Sequence, residues 1–208
     1  MAATADQGTA AVPVVPLSSG KPMPRVGLGT ASFPFGEDAV LRAIDAGYRH
    51  FDTASLYNSE AAVGDAAAEA VRAGTITSRE ELYVTSKLWI ADAHPGQVLP
   101  ALRKTLQNLR MEYVDLYLVH FPVSMKLPEG GVGAGTEHMK ENLVAMDMKG
   151  VWEEMEECHR QGLAKAIGVS NFACKKLEYL LSFAHITPAV NQVSDSPPFS
   201  HFYLMKNK

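Results

Sequence analysis

Four polar side chains of complementary chemistry follow one another along the chain, each close to the end of a predicted strand. They are Asp52, Tyr57, Lys87 and His120. When a carbonyl group is reduced, negative charge develops on its oxygen, so a proton donor must lie against that oxygen. A tyrosine in water has a pKa of about 10, which makes it a reluctant donor at neutral pH. An ammonium group beside it stabilises the phenolate and widens the pH range in which it works.

The other three residues suit the support of such a tyrosine. The Lys87 ammonium would stabilise the Tyr57 phenolate, and Asp52 would keep Lys87 charged and in place. His120 would hydrogen-bond the substrate oxygen and orient it. Each residue alone has a structural explanation, since buried Asp–Lys pairs and packed tyrosines are common. The set of four at successive strand ends favours a proton-donor site for carbonyl reduction.

Strands and helices alternate along the chain in an order that can position these residues. Two apolar segments, residues 12–17 and 23–28, flank a turn-rich stretch and predict a β-hairpin at the start. Apolar residues at helical spacing, with glycines after several of them, predict helices at residues 37–46, 59–73, 97–109, 149–161 and 173–183. Short apolar runs predict strands at residues 49–52, 82–85, 114–119, 166–169 and 189–191.

Strands that alternate with helices and are apolar on both faces indicate a parallel sheet covered by helices. Composition and periodicity leave two architectures open, an open doubly wound sheet and a (β/α)8 TIM barrel. The barrel is favoured because polar residues recur at five strand ends: Asp52, Ser86 with Lys87, His120, Ser170 with Asn171, and Gln192. Residues 27–30 (GLGT) also lack the G-x-G-x-x-G pattern of the open fold. The predicted fold class is α/β, an incomplete TIM barrel with about six of eight strand–helix units and an N-terminal β-hairpin.

Composition and charge exclude several other classes of protein. The chain has 208 residues and a net charge of −4, which provides no broad basic surface for nucleic acid or an anionic membrane. Its two cysteines, Cys158 and Cys174, are too few for a disulfide framework and fit a reducing compartment. No apolar run reaches the length of a membrane helix, and residues 1–11 lack a secretory signal pattern. We therefore expect a cytoplasmic monomer that would associate, if at all, through exposed strand edges.

Two further groups of residues do not predict a site of their own. The histidines without metal-ligand spacing are His94, His159, His185 and His201, so no metal is expected. The glycine-rich residues 130–135 lack the Lys-Ser/Thr pair of a phosphate loop. We interpret them as part of a mobile substrate loop at the rim.

Several segments of the chain resemble the aldo-keto reductase family. The segment GYRHFDTA (residues 47–54), followed by Tyr57, resembles one signature of the family, and KAIGVSNF (residues 165–172) resembles another. The segments VTSKLW (residues 84–89) and LVHFP (residues 118–122) are similar to those around the family's lysine and histidine. The resemblance covers a large part of the chain, and its motifs are long.

Within the family, two segments resemble a plant subgroup. Residues 29–35 and 155–160 are most similar to members near deoxymugineic acid synthase and to plant reductases of the chalcone and codeinone type. The family resemblance as a whole runs from residue 12 to residue 192.

The resemblance implies an NADP(H)-dependent oxidoreductase in which NADPH reduces an aldehyde or ketone to an alcohol. Tyr57 would be the proton donor, with Asp52, Lys87 and His120 in support. Positions that match those holding the nicotinamide end of the cofactor are Thr30, Asp52, Ser170, Asn171 and Gln192. Positions that match the substrate pocket are Ala31, Trp89, His120 and Phe121. Phe121 and Ala31 differ from aromatic residues found in relatives, which leaves the small-molecule carbonyl substrate undefined.

The resemblance also predicts how the chain is divided. Residues 1–11 are expected to form a disordered tail, residues 12–192 a partial barrel, and residues 193–208 an irregular tail without homology. The last two barrel units, the aromatic residue that stacks on nicotinamide and the basic segment for the 2′-phosphate are expected to be missing. Three hypotheses therefore stay open: an active carbonyl reductase, a catalytically impaired truncated isoform that acts by association, and a binding or regulatory module without turnover.

Overall fold

The computed structural model of the chain describes residues 12–18, 20–31, 36–126, 139–194 and 200–204. The predicted disordered tail at residues 1–11 and the predicted mobile loop at residues 130–135 lie outside the described residues.

Five α-helices in the described ranges cover one face of a sheet. They are α1 (Glu37–Asp45), α2 (Glu60–Arg72), α3 (Val98–Leu109), α4 (Met148–Arg160) and α5 (Cys174–Leu181). Their bounds lie within two residues of those predicted, because buried or partly buried apolar side chains recur at helical spacing in each. Of the helices that the structure describes, none is long and apolar enough to span a membrane.

The strands comprise a hairpin, a parallel sheet and a short ribbon. The hairpin pairs β1 (Val14–Val15) with β2 (Met23–Pro24), which confirms that prediction. The next strands are β3 (Leu28–Gly29), β4 (His50–Asp52), β5 (Tyr83–Leu88), β6 (Val114–Val119), the antiparallel ribbon β7 (Ser124–Met125) with β8 (Leu143–Val144), then β9 (Ala164–Ser170) and β10 (Val190–Ser194).

The order of strands distinguishes the two architectures that the sequence left open. The parallel strands lie in the order β3-β4-β5-β6-β9-β10, so each lies beside the parallel strand that precedes it in the chain. A doubly wound sheet instead reverses its direction of growth at a switch point. Growth in one direction, with helices on one face, is the topology of a (β/α)8 barrel. The predicted barrel type, with six of its strands, is therefore confirmed.

Three described strands were not predicted: the two of the β7–β8 ribbon and the strand that lies beside β10. β11 (Ser200–Leu204) pairs antiparallel with β10, with Val190 opposite Leu204 and Ser194 opposite Ser200. The segment 193–208, which was predicted to be irregular, thus contains strand residues at 193–194, the end of β10, and at 200–204. The edge of β10 offers unpaired backbone N–H and C=O groups, and a short segment can pair with them without any local pattern of its own.

Two apolar layers hold the sheet and fix which side chains face the site. The outer layer, between strands and helices, includes Val84, Leu102 and Trp152. The inner layer includes Tyr83 on β5 and Met23 of the hairpin, which covers the amino-terminal ends of the strands. Because side chains alternate along a strand, the face of β5 that begins with Tyr83 leads to Lys87 at the opposite, carboxyl end.

Two helices approach each other closely at Gly64, where α2 packs against the end of α3. A methyl group at Gly64 would overlap the carbonyl oxygen of Leu109, a backbone atom that cannot move aside easily. We expect Gly64→Ala to lower the free energy of unfolding by roughly 3 kcal/mol, although alanine favours a helix. Gly29→Ala, with no atom near the added methyl group, is the control for urea unfolding. Equal midpoints for Gly64→Ala and the unmodified chain would rule out this close contact.

Candidate active site

The predicted site residues meet at the carboxyl edge of the sheet. Asp52 ends β4, Lys87 lies next to the last residue of β5, and His120 follows β6. Ser170 ends β9 and Gln192 lies within β10. All five line a cavity of about 630 Å³. Tyr57, Trp89, Phe121 and Asn171 line it as well.

Lys87 is the centre of the polar cluster. Its buried ammonium group donates hydrogen bonds to Asp52 Oδ1 at 2.5 Å and to the carbonyl oxygen of Thr53 at 3.1 Å. Its third contact is the Tyr57 hydroxyl at 3.4 Å, and the ammonium nitrogen lies 4.8 Å from the centre of the Tyr57 ring. The arrangement holds a positive charge against the Tyr57 oxygen in a mostly buried setting, where electrostatic interactions are stronger than in water.

Tyr57 lies between Lys87 and His120. Its hydroxyl oxygen is 3.4 Å from His120 Nε2, and the two rings meet edge to face. Burial, together with the charge of Lys87, lowers the pKa of His120 to about 3. His120 Nδ1 is buried and has no hydrogen-bond partner among the described residues. A proton on Nδ1 would leave a buried N–H unpaired, so the neutral ring with its proton on Nε2, facing Tyr57, is favoured.

The low pKa of His120 predicts a loss of stability in acid. Folded His120 stays neutral down to about pH 3, whereas in the unfolded chain it binds a proton below about pH 6.5. The unfolded state therefore binds more protons between these pH values, and stability falls as the pH falls through this window. Over the whole window, from about pH 6.5 to about pH 3, we expect protonation of His120 in the unfolded chain to lower the free energy of unfolding by at most about 5 kcal/mol.

Urea unfolding measured from pH 7 to pH 4 tests this expectation, with His120→Gln as the comparison. The variant lacks the titrating ring, so its stability should depend less on pH. His50, whose pKa is also lowered by burial, remains in both proteins and contributes equally. Identical pH dependence in the two proteins would contradict the assignment of the acid sensitivity to His120.

Another wall of the cavity consists of three polar residues. Ser170 ends β9, Asn171 lies in the turn between β9 and α5, and Gln192 lies in β10. Ser170 Oγ donates to the carbonyl oxygen of Gln192 at 2.8 Å. Asn171 Nδ2 lies 3.0 Å from both Ser170 Oγ and the carbonyl oxygen of His120. Asn171 has a left-handed backbone with φ of 62°, which asparagine tolerates better than most residues. These bonds hold the wall against the strand that carries His120.

Gln192 connects this wall to the polar cluster. Its Nε2 donates to Asp52 Oδ2 at 3.1 Å. Its Oε1 is buried and has no hydrogen-bond partner in the part of the chain that the structure describes. Because a buried acceptor without a donor is unfavourable, this oxygen is suited to accept a hydrogen bond from a ligand in the cavity. A carboxamide, which both donates and accepts, matches this wall.

Aromatic rings form the apolar side of the cavity. His120 and Phe121 stack with ring centres 4.8 Å apart, and Trp89 meets them edge-on at 5.3 and 6.1 Å. Trp89 and Phe121 are therefore placed where the sequence predicts substrate contacts. Ala31 is exposed and does not line the cavity among the described residues, and its neighbours 32–35 are outside them.

Thr30, predicted as a cofactor contact, lies behind the cavity. It is fully buried, and its hydroxyl donates to the carbonyl oxygen of Asp52 at 3.0 Å and contacts Ser59 Oγ at 2.7 Å. Within the described residues it is absent from the lining of the cavity. The side chain is thus placed to support Asp52 from behind, because the hydroxyl is already committed to protein groups.

Other residues of the site were not predicted from the sequence. The apolar residues that also line the cavity are Leu56, Ile90, Val123 and Leu143. Glu60, buried at the start of α2, accepts hydrogen bonds at 2.8 Å from Ser86 Oγ and from Asn108 Nδ2. This carboxylate joins α2 and α3 to the strand that carries Lys87. The only signal for its role was its place in the segment after Tyr57, since the partners are distant in sequence.

Three of the histidines without metal-ligand spacing contact protein groups. His94 Nε2 lies 2.7 Å from the carbonyl oxygen of Met125, and His159 Nδ1 lies 3.0 Å from that of Ala164. His185 Nδ1 is 3.4 Å from a Glu156 oxygen. Across the described residues, no group of three His, Cys, Asp or Glu side chains is arranged to hold a metal ion.

Comparisons with a family model and with individual proteins give consistent results. The model of the "Aldo/keto reductase family" matches residues 25–202. Deoxymugineic acid synthase 1 of rice (Oryza sativa subsp. japonica) is 64% identical over 179 residues, and deoxymugineic acid synthase 1-B of wheat (Triticum aestivum) is 63% identical over 179 residues. An aldo-keto reductase of Citrus sinensis named for (1S)-1,7-diacetoxy-luvungin A is 53% identical over 191 residues. The predicted resemblance to plant members near deoxymugineic acid synthase is confirmed.

The matches cover most of this chain but only part of each relative. The rice and wheat alignments include 84% of this chain and 55% and 56% of the relatives, and the Citrus alignment 90% and 58%. Among solved structures, a Bombyx mori aldo-keto reductase in complex with NADP is similar with a TM-score of 0.76 and 38% identity. That match covers 89% of this chain and 59% of the other. The chain therefore spans a little over half the length of these relatives.

Proposed function

The chain belongs to the aldo/keto reductase family, and on that premise we propose that its cavity serves the NADPH-dependent reduction of an aldehyde or ketone to an alcohol. The observation that carries the proposal is the position of the Tyr57 hydroxyl, 3.4 Å from both Lys87 Nζ and His120 Nε2 at the wall of the cavity. A weak acid held between a cation and a neutral donor is suited to protonate a developing alkoxide.

The residues divide the work of proton transfer. Tyr57 donates its hydroxyl proton to the carbonyl oxygen as negative charge develops there. The Lys87 ammonium stabilises the phenolate that remains, and Asp52 holds the ammonium in place through the bond at 2.5 Å. Neutral His120 donates from Nε2 to the same substrate oxygen and orients it. Solvent then returns a proton to Tyr57, which completes the cycle for the protein groups.

The cavity also fits the nicotinamide end of NADPH, which supplies the hydride when bound. Gln192 Oε1, buried without a partner among the described residues, would accept from the carboxamide nitrogen of the ring. The Ser170 and Asn171 side chains beside it would contact the same group. The NADP complex of the similar Bombyx mori reductase supports NADPH as the cofactor. Trp89 and Phe121 would bind the apolar part of the substrate.

A second candidate is a binding or regulatory module without turnover. The observation in its favour concerns Lys87, which among the described residues is the lysine that lines the cavity. Its ammonium group already donates hydrogen bonds to Asp52 and to the Thr53 carbonyl. It is therefore unable to serve as a phosphate contact as well. The two candidates differ in whether this chain binds NADPH and transfers hydride.

Quenching of the intrinsic fluorescence by NADPH separates the two candidates. Trp89 lines the cavity, so the reductase reading expects saturable quenching at micromolar NADPH. Gln192→Leu should weaken NADPH binding by roughly 10-fold, since the acceptor for the carboxamide nitrogen is lost. Gln107→Leu on the exposed face of α3 is the matched control. Absence of quenching at millimolar NADPH would favour the module without turnover.

The same proposal extends to partners and location. A substrate of this cavity is a small carbonyl compound, and we infer that the chain acts as a cytoplasmic monomer without nucleic acid or membrane partners. Its net charge of −4 supports the absence of nucleic acid. Light scattering of the purified chain would contradict the monomer if it gave twice the mass.

A further inference from the structure

Three buried hydroxyl groups form a chain directly behind the site. Ser59 Oγ lies 2.7 Å from Thr30 Oγ1 and 2.8 Å from Thr53 Oγ1, and Thr30 Oγ1 donates to the carbonyl oxygen of Asp52 at 3.0 Å. All three side chains are 0–1% exposed. They come from separate places, since Thr30 follows β3, Thr53 follows β4 and Ser59 precedes α2. Ser59 is the member that joins the two threonines.

Counting protons fixes the direction of every bond in this chain. Each hydroxyl has one proton to donate. Thr30 gives its proton to the carbonyl oxygen of Asp52, which can only accept. The proton between Thr30 and Ser59 must therefore come from Ser59, and the proton between Ser59 and Thr53 must come from Thr53. One arrangement satisfies all three donors, and it runs from Thr53 through Ser59 and Thr30 to the backbone of Asp52.

The role of Ser59 is unusual for its position. It is the residue before the first turn of α2, where a serine normally accepts a hydrogen bond from a backbone N–H of the helix. Here the side chain makes no such bond. Its hydroxyl is turned to the two threonines instead, so the usual cap of the helix is given up for the buried chain. The Ser59 hydroxyl therefore has a structural role outside α2.

The segment between the two ends of this chain carries Tyr57. It begins at Asp52 and ends at Ser59, and Tyr57 closes its single 3-10 turn, Ser55–Tyr57. The turn itself is held by the Tyr57 N–H to the Ala54 carbonyl at 2.9 Å. The following residue, Asn58, has a left-handed backbone with φ of 54°. Within the segment, Ser55 Oγ also donates to the carbonyl oxygen of Lys87 at 3.3 Å. Ser59 lies two residues after Tyr57, so its attachment bears directly on the position of the Tyr57 hydroxyl.

We propose that Ser59 is a positioning residue, which through Thr30 and Thr53 holds the 52–59 segment and so places the Tyr57 hydroxyl between Lys87 and His120. The proposal rests on the proposed function in so far as Tyr57 is the proton donor. Ser59 contacts neither the cavity nor the cluster directly, and it acts by keeping Tyr57 in reach of both partners. A misplacement on the order of 1 Å is enough to lower a rate substantially.

Amide hydrogen exchange and turnover together test this proposal. In Ser59→Ala the Tyr57 amide should exchange roughly 10-fold faster because the segment opens more often. The Val63 amide, bonded to the carbonyl oxygen of Ser59, should keep its rate since that oxygen remains. In the same variant kcat for aldehyde reduction should fall about 10-fold with little change in KM, since substrate contacts are intact.

Two further variants complete the test. Thr53→Val, which keeps the shape and removes the first donor, should move Tyr57 exchange and kcat in the same direction by less. Thr105→Val removes a buried hydroxyl from α3, away from the segment, and should change neither. If Ser59→Ala and Thr105→Val give the same Tyr57 exchange rate, the proposal is wrong. Amide exchange can be measured without turnover. If the unmodified chain is inactive, the proposed function is refuted, and the Tyr57 exchange rates still test the role of Ser59.

Discussion

Replacing Tyr57 with phenylalanine should lower kcat for aldehyde reduction by roughly 1,000-fold, because the substitution removes the proton donor and leaves the ring in place. The ring packs edge to face on His120, and the Lys87 ammonium lies over it. Phenylalanine keeps these contacts, so the fold and NADPH binding should be preserved. Steady-state kinetics with NADPH and a small aromatic aldehyde measure the change.

The control for this variant is Tyr48→Phe. Tyr48 packs partly buried against the outer apolar layer and lies away from the cavity, so its hydroxyl should not affect turnover. NADPH quenching should be the same for both variants and the unmodified chain. Tyr57→Phe with a kcat above a tenth of the original value would show that another group, with His120 the first to examine, donates the proton.

Replacing Lys87 with methionine should abolish turnover and also lower the free energy of unfolding by about 3–5 kcal/mol. Lys87 is 2% exposed and Asp52 is 8% exposed. The variant therefore leaves a carboxylate in a mostly buried place, where the Gln192 amide is its remaining side-chain donor among the described residues. Breaking a buried ion pair by removing one partner is much more costly than replacing both. Urea unfolding at pH 7 measures the loss.

The double variant Asp52→Asn with Lys87→Met separates the stability from the chemistry. Removing both charges should restore most of the stability, since no unpaired charge remains. Turnover should stay as low as in Lys87→Met, because the phenolate of Tyr57 has lost its cation. If the free energy of unfolding of Lys87→Met differs from that of the original chain by less than about 1 kcal/mol, the Asp52–Lys87 pair is effectively solvated and its description as buried is wrong.

Much of the site was predictable because it follows from local features of parallel strands. A strand ends where its apolar run ends, and the carboxyl ends of parallel strands share one edge. Asp52, Lys87 and His120 could thus be grouped before any contact was known. The strand that carries Lys87 was predicted to end at residue 85, and it reaches Leu88 instead. Polar Ser86 and Lys87 disguise its length, since one bonds to Glu60 and the other to Asp52.

What the sequence did not predict depends on contacts between distant residues. The bond from Gln192 to Asp52 spans 140 positions, and the hydroxyl bond from Thr30 to Ser59 spans 29. Thr30 matches a position that holds the cofactor in the family, and its local sequence does not indicate that its hydroxyl bonds to the Asp52 carbonyl and to Ser59. The antiparallel strand β11 depends in the same way on an edge provided by β10. Local periodicity carries no information on such pairs.

The side chains that the proposed chemistry requires are bonded to one another around one cavity. Lys87 joins Asp52 to Tyr57, and Gln192 joins Asp52 to the other wall. The chain spans a little over half the length of its relatives. Catalysis as proposed requires that the groups around the cavity hold NADPH long enough for hydride transfer.

The central claim is that this chain reduces a carbonyl group with NADPH and that Tyr57 donates the proton. Transfer of deuterium to an aldehyde from NADPH labelled at nicotinamide C4 tests it most directly. The purified chain is incubated with labelled NADPH and the aldehyde, and the alcohol is analysed by mass spectrometry, with Tyr57→Phe in parallel. We expect one deuterium in the alcohol formed by the original chain, and roughly 1,000-fold less product from the variant. Label no higher than in the enzyme-free reaction, or equal in both proteins, would contradict a Tyr57-dependent reductase.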